Sequence, residues 1–543
     1  MRVITYTFLF AVITCIIGCN NKKSSNPKKV FRYNEDWGIT SLDPAFARTQ
    51  ANTWAVNMLF NGLVQLDDSL QIKPCLAKYW KISDDGLKYS FTLRNDVYFH
   101  SNPAFAERVL TPEDVAYSFR RLVDKTTASP GAWVFKSVMV DAYGNYTGFR
   151  VENDSVFSIT LSKPYPPLLS LLTNAYCCIV PHEAIEHFGK DFRKFPCGTG
   201  PFVFKTWEEG VKLVLHKNHR YFEKSASGNA LPYLDAVVVS FIDNKLSALL
   251  SFMKGELDCF NGLESSYKDE ILNKDGSLKA KFRNRVVLQS NPFLNTEYLG
   301  FFIDSNQMKG KSNPVMNPMF RRAVNLGINR NEIVAYLRNN IGNPANNGFV
   351  SLGISGYNYS EVKGYTYNPD SALKLLAAAG MALSTPVELP LITTAAYQDI
   401  AILIQNQLSR IGIKVLIEIN QASFNRNLIN KGQASFYRAS WVADYPDPEN
   451  FLALFYSKNF SPAGPNYSHF SMPEFDRLYE LSMETTNQTN RMKLFAQMDK
   501  MIIEHSPVVP LFYDKTFRLI DKKVHGLKGN AMNLFNLKEV DTN

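Results

Sequence analysis

WKISDDGLKYSFTLRNDVYFH, residues 80–100, followed after a loop by LTPEDVAYSFRRLVD, residues 110–124, is the stretch from which the fold is read. Asp85-Gly86 is a hairpin turn signal between two strand-like segments, 79–82 and 88–93. Tyr89, Phe91 and Leu93 alternate with Ser90 and Thr92. Residues two apart share one face of a strand, so the three apolar side chains face a core. After Phe99-His100 and a loop, Thr111 caps a helix, Pro112 takes its first position, and Asp114 reaches back as in a capping box. Val115, Phe119 and Leu122 form the buried face of that helix. Similar alternation of helix and strand patterns along the chain predicts a mixed α/β protein.

At 543 residues the chain is too long for one hydrophobic core, and two or three domains are expected. Its 45% hydrophobic and 20% charged content is ordinary for a globular protein. The 38 Phe and 26 Tyr suit a large core and an aromatic-lined cavity. A net charge of +9 is weak over this length and no long basic block follows the N-terminal segment, which argues against nucleic acid as a partner.

Residues 1–18 read as a leader. Arg2 supplies a basic start, and 3–17 is an uncharged apolar run shorter than the ~20 residues of a membrane span. The run ends in Ile16-Ile17-Gly18-Cys19, which resembles a bacterial lipoprotein signal; that resemblance implies cleavage before Cys19 and lipidation of its thiol. An ordinary secretory leader, with Cys19 incidental, is the other reading. Residues 19–29 are polar, carry four lysines and read as a flexible tether. Beyond Cys15 and Cys19, the cysteines are Cys75, Cys177, Cys178, Cys197 and Cys259. The odd count leaves at least one thiol free. Small buried hydrophobes are one reading, and a bond such as Cys177–Cys197 stays open.

A second informative stretch is FYRASWVADYPDPENF, residues 436–451. It starts as a strand, with Phe436, Arg438 and Ser440 on one side and Tyr437, Ala439 and Trp441 on the other. Pro446 and Pro448 lack the N–H a ladder needs, so the strand stops. Asp447 then reads as a helix N-cap with Pro448 at the first helical position. An anion and a cation, Asp444 and Arg438, are thereby placed around one rigid turn.

The quoted segments 80–100 and 110–124 resemble the extracellular solute-binding proteins of the oligopeptide and dipeptide ABC importers. Later segments agree: GTGPF at 198–202, NPMFRRAVNLGINRNEIV at 317–334, YNPDSALKLLAAAG at 367–380, and DIAILIQNQLSRIGIKVLIEIN at 399–420. The resemblance covers nearly all of 30–540. Two departures stand out: Asn329 replaces the Asp usual before Arg330, and the loop 101–109 is longer and less polar. The resemblance implies a two-lobed periplasmic-binding-protein fold (type II, large cluster). Lobe I would comprise 30–73, 195–295 and 505–543, with an extra subdomain 74–194 on it; lobe II would comprise 296–504.

The same resemblance implies the chemistry. In that family an Asp in the turn after the tryptophan pairs with a ligand ammonium group, and RASWVADY puts Asp444 there. An Arg six residues upstream serves ligand carboxylates in peptide-binding members; here it is Arg438. Extended peptide rises ~3.3 Å per residue, so these charges would stand on the order of 10–18 Å apart, suiting a peptide of about two to five residues. Closing two lobes over a peptide removes its water, so each charge needs a partner. Trp441 and Tyr445 are candidates to flank the ligand, with a core role for Trp441 as the alternative. Arg438 as a lobe-bridging salt partner and Asp444 as a mere turn residue also stay open. The expected partners are a short peptide and separate permease and ATPase chains, with the protein a monomer, exported and held at the membrane by its lipid only. Relatives that carry nickel chelates, haem or sugars supply the alternative ligand classes.

No catalytic residue, metal site or cofactor is expected. In HEAIEH, residues 182–187, the histidines are five apart, whereas the zinc-protease helix needs four to put both on one face. No nucleophile elbow and no phosphate loop occurs.

Overall fold

The computed structural model describes residues 28–36, 38–262, 267–304, 306, 313–381 and 386–542. The leader, Cys19 and most of the tether lie outside the described residues. Among the described residues no helix is long and apolar enough to cross a membrane.

The α/β fold has two lobes, each built on its own sheet. The first sheet has seven strands in the order Val286–Gln289, Arg518–Asp521, Cys259–Asn261, Val30–Asn34, Ala236–Ser240, Lys212–Lys217, Phe202–Glu208. The second has six: Asn343–Pro344, Val508–Lys515, Pro292–Phe301, Phe436–Val442, Val387–Thr393, Ile413–Ile419. A separate four-stranded sheet joins Ala77–Ile82, Lys88–Leu93, Val156–Thr160 and Phe149–Asn153.

The local signals of 80–124 are realised there. Ala77–Ile82 and Lys88–Leu93 pair antiparallel across Gly86, whose φ is +70°. Tyr89, Phe91 and Leu93 are buried, as are Val115, Phe119 and Leu122 on the helix Pro112–Val123. The Thr111 N–H donates to Asp114 at 2.9 Å, closing the capping box. The long loop after His100 brings Phe105 edge-on to Phe99 and lays Arg108 over both rings, which accounts for its low polarity. In GTGPF, Gly198 and Gly200 pass so close to the end of the helix Gln50–Leu59 that an added Cβ would lie 2.2 and 2.4 Å from Leu59 backbone atoms. Only glycine fits this approach.

Residues 317–338 form two helices rather than one. Pro318–Gly327, capped by Asn317, ends at Ile328, and Arg330–Arg338 starts anew with Asn329 accepting from the Glu332 N–H. Asn caps as well as Asp, so the departure at 329 costs the fold nothing. Phe320, Ala323, Val324 and Ile328 are all buried as expected.

Two expected boundaries are corrected, the first because Pro292–Phe301 lies wholly in the second sheet although 292–295 was expected in lobe I. The segment placed in lobe I from residue 505 contains Val508–Lys515, which pairs antiparallel with Pro292–Phe301 in the second sheet. The chain returns to the first sheet only at Arg518–Asp521. The apolar side chains of 508–513 are buried against both faces of that second sheet, which holds the strand there. The two crossings between sheets lie side by side: Thr516 N–H donates to Asn291 O at 2.9 Å and Asn291 N–H to Thr516 Oγ1 at 3.1 Å. The five cysteines past residue 19 are all buried free thiols, and Cys177 and Cys197 are not bonded.

Behind the second sheet, Asp499 on the helix Gln488–His505 accepts from the Phe349 N–H at 2.6 Å and the Tyr357 hydroxyl at 2.9 Å. Gly348 runs against it; a Cβ there would lie 1.9 Å from Asp499 Oδ2. Burial raises the Asp499 pKa to about 6 despite those bonds. The folded pKa therefore exceeds the unfolded one, and the carboxyl's contribution to stability falls as pH rises from about 4 to about 6. Wild type minus Asp499→Asn stability is expected to drop by roughly 2–3 kcal/mol between pH 4 and pH 7, measured by urea denaturation. Equal slopes for the two proteins would contradict this.

Candidate functional site

The strand Phe436–Val442 presents its two faces as the alternation predicts. Phe436 and Arg438 face the helix-covered side of the second sheet, and Tyr437, Ala439 and Trp441 face the opposite core. The turn that follows is fastened from within. Asn450 Oδ1 accepts from the Trp441 indole N–H at 2.9 Å and from the Asp444 backbone N–H at 3.1 Å, and its amide donates to Asp444 Oδ2 at 3.4 Å. The expected cap is displaced: the N-cap is Pro448, without a side-chain cap bond, and Asp447 one residue earlier accepts from the Glu449 N–H at 2.9 Å as a turn residue and pairs with the buried Arg491 at 2.5 and 3.1 Å. The short helix itself runs Glu449–Leu452. Tyr445 and Tyr479 each donate a hydroxyl to Glu449.

Asp444 is left with its carboxylate open to solvent yet surrounded by protein, as a group on a crevice floor would be. That loss of bulk water pushes its pKa up from the ordinary carboxylate value. The Asn450 amide opposes the shift and Glu449 adds to it. Among the described residues no cation pairs with it. Across from it stand residues of the segment 133–176: Asn174 donates to Asp444 O at 3.5 Å, and the Trp133 and Tyr445 rings lie 6.4 Å apart. Tyr176, half-buried and packed on Gly131, has its hydroxyl pKa raised to about 12, first by burial and then by Asp444, with Arg48 pulling it down.

The structure does not bring Arg438 to Asp444. The Arg438 guanidinium pairs with Glu297 and lies 3.2 Å over the Tyr397 ring. The side chains of Arg438 and Glu297 are 16% and 4% exposed. The cavity beside them measures about 10 Å³, room for one water at most. Tyr445 is 3% exposed and spent on Glu449, so it lines no open surface. Trp441 is half-buried against the core with its N–H on Asn450. Sequence reasoning missed Asn450, Asn174, Tyr176 and Arg48. Only Asn450 carried a signal, six residues beyond Asp444 in the same turn.

Other concavities are chemically satisfied. One of about 650 Å³ on the first lobe is lined by acids that all have a cation: Asp67–Lys73, Asp68–Lys528, Asp96–Arg94 and Glu223–Lys538, with Glu539 on Lys528. Asp114, His182 and Glu183 place ligand-type atoms within 4.8 Å of one another, but Arg108 donates to both carboxylates at 2.6–2.8 Å. A guanidinium thus holds the place a cation would take.

Comparison with known proteins agrees with this architecture. Residues 71–462 match the profile of bacterial extracellular solute-binding proteins, family 5, middle region. The chain is 24% identical to the dipeptide-binding protein DppE of Bacillus subtilis, covering 97% of this chain and 94% of that protein. It is 27% identical to heme-binding protein A of Haemophilus influenzae, covering 86% and 84%. Among solved structures it is similar to the periplasmic binding protein DppA from Helicobacter pylori in complex with peptide STSA, with TM-score 0.76, 26% identity, and 94% and 98% coverage.

Proposed function

The chain belongs to the bacterial extracellular solute-binding proteins of family 5, transport components and not enzymes, and we propose that it captures short peptides between its two lobes and hands them to an ABC permease. The observation that carries this reading is Asp444: an accessible carboxylate crowded by protein, with no counter-ion among the described residues, facing Asn174 across the cleft. A peptide ammonium group supplies the missing charge. Trp441 and Asn450 hold the turn for it, and the paired crossings at Asn291 and Thr516 are where the lobes would rotate about each other. The solved relative with a bound peptide supports the same ligand class. We further propose that the protein acts as an exported monomer, anchored through lipid on Cys19.

Native mass spectrometry of the purified protein, followed by denaturing release, tests the reading. A mixture of short peptides is the expected cargo. Haem, a metal chelate or a sugar in their place would transfer the protein to another branch of the family, and Asp444 to a structural role.

A further inference from the structure

We propose that Arg48, not Arg438, receives the carboxylate of the bound peptide. The proposal rests on the peptide reading above and names the second charge of that site.

Arg438 fails the role on geometry. Its charge is met by Glu297, its face is covered by Tyr397, and about 10 Å³ beside it admits no carboxylate. In effect the protein's own Glu297 occupies the place of a ligand carboxylate.

Arg48 meets the opposite description. The backbone around it is fixed: Asp43 pairs with Arg121 at 2.6 and 2.9 Å, Ala45 O accepts from Ser129 Oγ at 2.6 Å, and Ala47 O accepts from Thr53 Oγ1 at 3.2 Å. Thr49 then caps the helix Gln50–Leu59. Between these anchors the Arg48 side chain is exposed, with no ion pair or hydrogen bond among the described residues. The short helix Pro44–Phe46 that leads into it packs on Ala175–Cys177, which carries Tyr176. Tyr176 lies within the fields of both Arg48 and Asp444, which act on its hydroxyl with opposite sign. One unpaired cation on the first lobe and one unpaired anion on the second therefore flank the same tyrosine. A zwitterion laid past Tyr176 satisfies both, whereas lobe closure without it desolvates both at a cost.

The test is calorimetric titration of the mature protein with alanyl peptides of two to five residues, each as free acid, C-terminal amide and N-acetyl form. Wild type is expected to prefer acid over amide by roughly 30-fold or more. Arg48→Gln loses that preference while still discriminating against N-acetyl peptides, and Arg48→Lys keeps most of it. The double variant Arg438→Met with Glu297→Met, which removes the internal pair together, keeps the preference. Preference retained in Arg48→Gln, or lost in the double variant, overturns the assignment. Equal binding of acid and amide by wild type overturns it while sparing the peptide reading. No binding of any free-amine peptide by wild type defeats the peptide reading, and this assignment falls with it.

Discussion

Asp444→Asn is expected to strip most peptide affinity from the protein while leaving the empty protein at least as stable as wild type. The two halves of that expectation come from one fact. Without ligand, the Asp444 carboxylate is crowded by protein with no cation beside it among the described residues, and this partial loss of water holds its pKa above the ordinary value. Asparagine removes the charge and keeps a carbonyl for the Asn450 amide. With ligand bound, the same change leaves a peptide ammonium facing a neutral amide in a closed cleft. Breaking such a pair costs about 3–5 kcal/mol, roughly 10²–10³-fold or more in Kd. Calorimetry with a free-amine peptide reads the affinity, and a thermal melt of the empty protein reads the stability. The pH dependence follows with the same sign logic. Protonating Asp444 removes the attraction, so wild-type affinity falls on acidification, and from a higher pH than an ordinary carboxylate would show. The asparagine variant is flat across that range. A variant that melts earlier yet binds normally would make Asp444 a turn residue.

Asp447→Ala is expected to cost about 3–5 kcal/mol of stability for the buried charge it strands. Arg491 is 2% exposed and its guanidinium is matched to Asp447, with one further bond to Ser482 O at 3.1 Å and the Phe495 ring beneath it. The charge cannot reach water without opening the contact between the turn and the helix Gln488–His505. Urea denaturation reads the loss. Adding Arg491→Met to the alanine variant should recover much of it, since the unpaired cation then goes too. Peptide affinity should fall with the single change, because Asn450 and hence Asp444 are carried by the same turn. An alanine variant within 1 kcal/mol of wild type would show that the pair contributes little, and the turn would have to be held by Tyr445, Tyr479 and Glu449 instead.

Much of the fold was legible because its signals are local. Asp85-Gly86, the capping box at Thr111, Asn317-Pro318 and the period-two run 413–419 are decided by residues within a turn or a strand of one another. The alternation of 436–441 was read correctly for the same reason. What went astray depended on distant chain. The boundary at 505 failed because a strand's sheet is chosen by its partner, Pro292–Phe301, which lies more than two hundred positions earlier. The helix read across 317–334 is broken at Ile328, where a second cap, Asn329, was seen only as a departure from a family pattern.

The site divides along the same line. Local pattern was enough to show that Asp444 follows a strand end in a proline-stiffened turn and that Arg438 points to the side of the strand away from Trp441, whereas the helix cap read at Asp447 falls one residue later, at Pro448. These follow from backbone periodicity and from the missing proline N–H, which act over a few residues. What each charge meets was set by long-range packing. Glu297, 141 residues before Arg438, neutralises that arginine in a space too small for a ligand. Arg48, more than a hundred positions before Tyr176, is carried up to that tyrosine and has no ion pair among the described residues. Electrostatics acts through space, and a side chain's partner is set by whichever segment the packing brings alongside.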